Sequence, residues 1–306
     1  MTWHPRQLAQ QTGRTFVVTG ANSGIGLETA RDLVSRGGNV VLAVRDTDKG
    51  RQAAATLTGP GTATVAELDL ADLDSVERFA KSLSAEQESL SALVCNAGIM
   101  GGPHGLTRQG HELQMGTNHL GHAGLIAALW PMLHTAGGRV VLVTSIAARA
   151  GRLSPTTSRD QLVAPSPYIG QAVYSNTKQA NLLFAQELHR RATAAGSPVS
   201  SVACHPGVSQ SELFSRQLRE RRLGVLVPVA KALSRVALQS SEAGALPTLR
   251  ALDHSTPSGA FVGPSAFGQF RGKPELLEVY RSGSDPATAA RLWQLTEEIL
   301  DTTLPV

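Results

Sequence analysis

The first boundary between secondary-structure elements constrains this chain most. A β-rich run over residues 15–19 ends in a turn that holds Gly20, Asn22, Ser23, Gly24, Ile25 and Gly26, and a helical run follows over 27–36. A strand that feeds a helix through such a turn belongs to an α/β layer architecture and places a nest of backbone N–H groups at a helix N-terminus, where phosphate binds. Gly24 and Gly26 would let the backbone approach a pyrophosphate and let the helix pack on the strand. The spacing is G-x-x-x-G-x-G, not the commoner G-x-G-x-x-G, and a glycine-rich turn without a ligand is the competing reading.

The alternation of strand and helix continues along the chain. A second strand over 39–44 ends at Val44, with no carboxylate, and Arg45 follows. At that position in dinucleotide folds an acid bonds the ribose 2′-hydroxyl, whereas an arginine accommodates a 2′-phosphate, so Arg45 favours NADP(H) over NAD(H). The competing readings are an exposed Arg45 and an Asp46 that merely caps the next helix. A third strand, 62–68, leads to Asp69 and Leu70, with Asp72 placed to cap a helix running through 83. A fourth, 92–95, delivers Asn96, Ala97 and Gly98, small enough for a flat cofactor to lie on the backbone. A helix over 117–134 carries Asn118, His119 and His122, and a fifth strand, 139–144, ends at Ser145. The two histidines lack a partner ligand signature, so no metal site is expected.

A run rich in Ser, Thr and Pro precedes the next helix (172–191) and is too long for a simple connection, which suggests a flap over 149–173. A sixth strand, 198–204, leads to Pro206, Gly207 and Val208. The following stretch, 208–238, holds a basic cluster and a short apolar run and reads as a substrate lid, with apolar side chains such as Leu223 and Leu226 suggesting a hydrophobic substrate. A helix over 241–252, a last strand at 259–263 and a closing helix with Asp285 as N-cap and Pro286 at its first position complete the chain. With no linker or repeat, residues 1–306 read as one doubly wound, mostly parallel sheet of about seven strands with helices on both faces. A ligand would bind outside the carboxyl ends of the strands.

Tyr174 and Lys178 stand four apart on the 172–191 helix, one turn from each other on one face. A fixed cation beside a phenol favours the phenolate and brings its pKa toward working pH, so such a tyrosine can exchange a proton during turnover. An exposed lysine stem lying over a ring is the alternative for this spacing. Tyr168 has no lysine four residues on.

Bulk composition excludes several classes. Charged residues at 17% and hydrophobic residues at 42% are those of a folded protein, and the net charge of +4 is spread along the chain, which argues against nucleic-acid binding. Cys95 and Cys204 lie in apolar runs and read as reduced buried thiols. The N-terminal residues lack a secretory apolar core, and no run approaches the roughly 18 apolar residues of a membrane span. The expectation is a soluble cytoplasmic protein.

Thr19 with the glycine turn, Asp69, Asn96 to Gly98, Asn118, Ser145, Tyr174 with Lys178, and Pro206 with Gly207 together resemble the short-chain dehydrogenase/reductase superfamily over residues of about 15 to 263. Residues 21–30, 42–45 and 117–121 look most like its retinol-dehydrogenase-like branch. The resemblance implies a catalytic tetrad of Asn118, Ser145, Tyr174 and Lys178. Tyr174 would be the general acid/base, Lys178 would hold the nicotinamide ribose, and Asn118 would hold a water linking Lys178 to solvent. It places Asp69 at the adenine, Asn96 to Gly98 along the adenosine side, and the segment after Pro206 at the nicotinamide amide. Ser211 stands where many relatives have Thr, and Ser23 where many NADP(H) users carry a basic residue. The implied activity is NADP(H)-dependent interconversion of a hydrophobic carbonyl compound and an alcohol, the alternative being a cofactor-binding redox sensor or scaffold. Relatives often associate through the helices here at 117–134 and 172–191; a monomer is the other reading.

Overall fold

The structure, a computed structural model, describes residues 3–208 and 239–306. The Ser211 site and the lid stretch 209–238 lie outside the described residues. Eight strands form one sheet in the order β3-β2-β1-β4-β5-β6-β7-β8. They are β1 (Thr15–Thr19), β2 (Asn39–Val44), β3 (Thr62–Glu67), β4 (Ala92–Cys95), β5 (Arg139–Val143), β6 (Ser200–Cys204), β7 (Phe261–Ala266) and β8 (Arg271–Leu277). All neighbours pair in parallel except β7 and β8. Every residue of β1 and β4 is buried, as continuous apolar runs covered on both faces require.

The helices are α1 (Gly24–Ser35), α2 (Thr47–Ala54), α3 (Leu73–Glu86), the single turn α4 (Leu113–Met115), α5 (Gly121–Ala136), α6 (Arg159–Val163), α7 (Gly170–Ala194), α8 (Ser241–Leu252) and α9 (Pro286–Leu300). One core joins Val17 and Leu93 to side chains of α3, α5, α7 and α9. A second joins Phe16 and Val18 to α1, α2 and α8 on the opposite face. Local signals set the helix starts as expected. Asp72 accepts from Asp74 N at 3.1 Å, and Asp285 from Thr288 N at 3.1 Å. Helix α1 begins at Gly24, ahead of its apolar pattern, because the glycines themselves form its first turn. Both cysteines are free and buried, and burial pushes the Cys204 thiol up to about 12.

Three features depart from the sequence reading. The strand β8 is additional to the expected set. Its run Arg271–Leu277 is mostly exposed and carries Gly, Lys and Pro, the chemistry of a protected sheet edge and not of a core strand. Residues 1–14 read from the sequence as a short polar lead-in, and residues 3–14 of it are anchored: Trp3 and Leu8 pack on Leu249, and Trp3 Nε1 donates to Asp253 Oδ2 at 2.8 Å. The stretch before Tyr174 is tied down: Leu153 N donates to Gln179 Oε1 at 2.7 Å, Arg291 Nε to Thr157 O at 3.0 Å, and Leu162 is buried.

Helix α9 packs on α7. Trp293 stacks on Phe184 at 4.9 Å, Arg191 covers the indole at 4.7 Å, and Thr296 meets His119 Nε2 at 3.0 Å. Trp293 Nε1 is a buried donor with no hydrogen-bond partner among the described residues. Trp293→Ala should therefore lose about 3–5 kcal/mol of stability in urea unfolding. Trp293→Phe, which keeps the stack and removes the unpaired donor, should lose about 1.5 kcal/mol or less.

Candidate active site

The strand order reverses between β1 and β4, and the loops leaving their carboxyl ends open a cleft of about 1270 Å³. Gly20, Asn22, Ser23, Gly24, Ile25, Arg45, Asp69, Leu70, Asn96, Ala97, Gly98, Ser145, Tyr174, Lys178, Pro206, Gly207 and Val208 all line it. Of the expected site residues that the structure describes, Gly26 and Asn118 sit just behind its wall.

The glycines of the first turn serve different ends. Gly24 has φ +57 with open space around it, so backbone conformation is what its position demands. At Gly26 a Cβ would meet Asn96 Nδ2 at 2.5 Å and Gly20 O at 2.6 Å, so there close packing decides. Ser23, the N-cap of α1, makes no side-chain capping bond, which leaves the first N–H groups of the helix facing the cleft.

At the far end, Arg45 is exposed on the cleft rim. Asp46 is already engaged: it accepts from Lys49 N at 3.0 Å and pairs with Lys49 Nζ at 2.8 Å, and this Lys49 hydrogen bond holds its carboxyl below the usual range. Asp69 accepts from Ala71 N at 2.9 Å, which fixes the turn after β3. Lys49 and Gln52 also line this end. Sequence reasoning missed them, although Lys49 follows Arg45 at one helical turn.

A hydrogen-bonded chain links the glycine turn to helix α7. Thr19 Oγ1 accepts from the backbone N–H groups of Asn96 and Ala97, both at 2.9 Å, and meets His122 Nε2 at 2.9 Å. His122 Nδ1 faces the Asn118 carbonyl at 3.0 Å, so Nδ1 carries the ring proton and the Thr19 hydroxyl donates to Nε2. Burial lowers the His122 pKa to about 4, and the ring is neutral. Asn118 lies in a π-helical turn, Gly116–Leu120. Its side chain accepts from Ile99 N at 2.8 Å and donates to Ile99 O at 2.9 Å and to Thr177 Oγ1 at 3.0 Å. Thr177 in turn donates to the Tyr174 carbonyl at 2.8 Å. His119 and His122 are thus packing residues, each bonded to its neighbours.

Tyr174, Ser145 and Lys178 meet at the inner wall. Ser145 Oγ accepts from Ala147 N at 3.2 Å, and the Ser145 side chain lies close enough to the Tyr174 phenol to draw its pKa down. Lys178 is buried, and its Nζ donates to the Val143 carbonyl at 3.1 Å and lies 5.8 Å from the Tyr174 ring centroid. Gly98 leaves room between them: a Cβ there would meet Asn118 Oδ1 at 3.2 Å and Lys178 Nζ at 3.4 Å.

The electrostatics correct one expectation. Burial pushes the Tyr174 phenol above its ordinary value, and the opposing influence is the Ser145 hydrogen bond, not the Lys178 cation. The tyrosine is therefore a stored proton at neutral pH. Burial also lowers Lys178 to about 8, so its charge is lost within the working range. Tyr168 is no rival: its hydroxyl meets Gln114 Nε2 at 3.1 Å and Glu112 Oε1 at 3.4 Å.

Known proteins carry the same plan. A family model described as short chain dehydrogenase matches residues 14–157. Human retinol dehydrogenase 11 is 43% identical over 208 residues, which is 67% of this chain and 64% of that protein, so the match spans less than two thirds of its length. Human retinol dehydrogenase 12 is 35% identical over 303 residues, 96% of this chain and 89% of that one. A crystal structure of an uncharacterized protein from Mycobacterium paratuberculosis superposes with a TM-score of 0.82 at 39% identity, covering 100% of both chains.

A buried ammonium with a lowered pKa costs stability. At about 1.36 kcal/mol per pH unit, a fall from 10.5 to about 8 corresponds to roughly 3 kcal/mol at pH 7. Lys178→Met should therefore be more stable than the parent by about 2 kcal/mol at pH 7, after about 1 kcal/mol for the Val143 carbonyl left unpaired. Between pH 8 and 10.5 the unfolded parent binds more protons at this lysine than the folded one, so the parent gains stability as pH rises and the difference should close. Paired thermal melts across that range measure it; a constant gap would mean that Lys178 is not desolvated.

Proposed function

Since this chain belongs to the short-chain dehydrogenase/reductase family, on its retinol-dehydrogenase-like branch, we propose that it interconverts a hydrophobic ketone or aldehyde and the corresponding alcohol with NADP(H). The observation that carries this reading is the convergence of Ser145, Tyr174 and Lys178 on the cleft that also receives the open N-terminus of α1.

The residues present fit a dinucleotide. The N–H groups at Gly24 to Gly26 suit a pyrophosphate, and the Cβ-free backbone at Gly98 leaves space beside Lys178. Arg45 on the rim suits a 2′-phosphate, and Lys49 adds a second cation at that end. Asp46, held by Lys49 and the start of α2, is poorly placed to serve a ribose 2′-hydroxyl instead, which supports NADP(H) over NAD(H). When bound, the nicotinamide exchanges a hydride with the substrate carbon.

In the reducing direction Ser145 holds the substrate oxygen as negative charge grows on it, and Tyr174 delivers its phenolic proton to that oxygen. Lys178, charged below pH of about 8, binds the ribose. Asn118 acts through Thr177 and Ile99, holding the catalytic turn of α7 against the loop after β4. A scaffold or redox sensor would use the glycine turn but has no need of the Ser145 and Tyr174 pair. The retinol dehydrogenases among its relatives support a retinoid-like apolar substrate for this chain.

A carbonyl panel followed at the nicotinamide absorbance tests the assignment. Tyr174→Phe should bind NADPH normally and lose turnover by about a hundredfold to ten-thousandfold. Arg45→Ala should lose about tenfold to a hundredfold in kcat/KM with NADPH, the worth of a charge-assisted contact, and change little with NADH. An unaltered NADPH preference would remove Arg45 from the 2′-phosphate site. Because Tyr174 stays protonated, the reductive kcat/KM should fall as pH rises through about 8, where Lys178 loses its charge.

A further inference from the structure

Where β6 ends, the turn through Pro206, Gly207 and Val208 lines the cleft, and its backbone polar groups are held from several directions. Gly207 N donates to His205 Nδ1 at 3.2 Å, Val208 N donates to Phe270 O at 2.8 Å, Gln239 N donates to Val208 O at 3.1 Å, and the Gln239 side chain donates to Pro206 O. The bond from Gly207 fixes the tautomer of His205: Nδ1 accepts, so Nε2 carries the proton. Nε2 lies 3.0 Å from the Tyr280 hydroxyl and donates to it, and that hydroxyl donates to Gln269 Oε1 at 2.6 Å. Each donor in this series has one acceptor, and the order runs in a single direction.

The series ends on an unusual piece of backbone. Phe267, Gly268 and Gln269, at the tip between β7 and β8, have φ of 50, 66 and 73, a left-handed stretch that side chains other than glycine rarely adopt. Tyr280 grips Gln269, while Arg149 lies over the Tyr280 ring at 4.6 Å and reaches Gly268 O at 3.4 Å. The tip thereby presents Phe270 O to Val208 N. The His205 ring lies directly over Gly263, where a Cβ would meet its Nε2 at 2.3 Å, so the absence of a side chain there is what admits the ring. Burial keeps His205 neutral, with its pKa lowered to about 4, so the direction of the series holds across the working pH range.

We infer that Tyr280 and Gln269 are positioning residues for the nicotinamide end of the cleft, acting through His205 and the β7–β8 tip to fix the turn at Pro206, Gly207 and Val208. This inference rests on the cofactor reading proposed above. Neither side chain lines the cleft, so both act at one remove.

The test compares binding of NADPH with binding of 2′-phospho-ADP-ribose, the same molecule without its nicotinamide. Tyr280→Phe keeps the ring against Phe261, 4.8 Å away, and deletes only the hydroxyl. It should weaken NADPH about tenfold and leave 2′-phospho-ADP-ribose within about twofold of the parent, the cost of one lost buried hydrogen bond falling on the nicotinamide half alone. Gln269→Leu, which removes the acceptor, should do the same, whereas Gln269→Glu, which keeps an acceptor oxygen, should restore NADPH binding. If Tyr280→Phe does not fold, the two Gln269 variants carry the same comparison. A lower melting temperature with both affinities unchanged, or equal loss of both ligands, would show a merely structural role and overturn the inference. If the parent protein binds neither ligand, the cofactor reading fails and takes this inference with it.

Discussion

The hydroxyl of Thr19 is the contact on which the rest of the site depends. It sits where β1 and β4 part company and their ladder can no longer satisfy the backbone, and it takes up the N–H groups of Asn96 and Ala97. Through His122 it reaches the Asn118 carbonyl, and through Asn118 and Thr177 the carbonyl of Tyr174. One buried network therefore ties the glycine turn, the loop after β4 and helix α7 together. Every member is paired, which a low-dielectric interior demands, since an orphaned group in such a network costs more than its bond contributes.

The same interior makes the ionisable groups of the candidate site expensive to keep. Tyr174 is driven toward its protonated form and Lys178 toward its neutral form by one cause, removal from water. The two shifts leave an acid with its proton in place beside an amine near its titration point. Natural active sites concentrate such local costs, and the surrounding packing of α7 against the sheet and α9 offsets them. The cover given by α9 also bears on assembly. On α7, within the 172–191 stretch, Phe184 and Arg191 are engaged within the chain by Trp293, and the oligomeric state stays a proposal.

The end of the cleft at the Pro206 turn, proposed for the nicotinamide, is organised differently from the end at the glycine turn, proposed for the phosphates. There the chain relies on backbone donors at the start of one helix, a device that needs only glycines and a free N-terminus. At the Pro206 turn it relies on side chains from distant segments, Gln239, Tyr280 and Gln269, converging on a short stretch of backbone. The two ends thus differ in how many parts of the fold must be correct for them to form.

That difference separates what the residues determine alone from what only folding decides. The α/β layering, the glycine turn, the strand ends that carry Asp69, Asn96 and Ser145, the Tyr174 and Lys178 pairing and the Asp285 cap were all legible, because each is written within one helical turn or one strand. The edge strand β8, the burial of Trp3, the neutral His122 and the His205 series were not legible. Thr19 meets His122 across 103 positions, His205 meets Tyr280 across 75, and Trp3 meets Asp253 across 250. Periodicity and capping report on neighbours along the chain, whereas a proton's place on a buried ring is set by whichever distant carbonyl or hydroxyl the closed sheet brings within 3 Å or so.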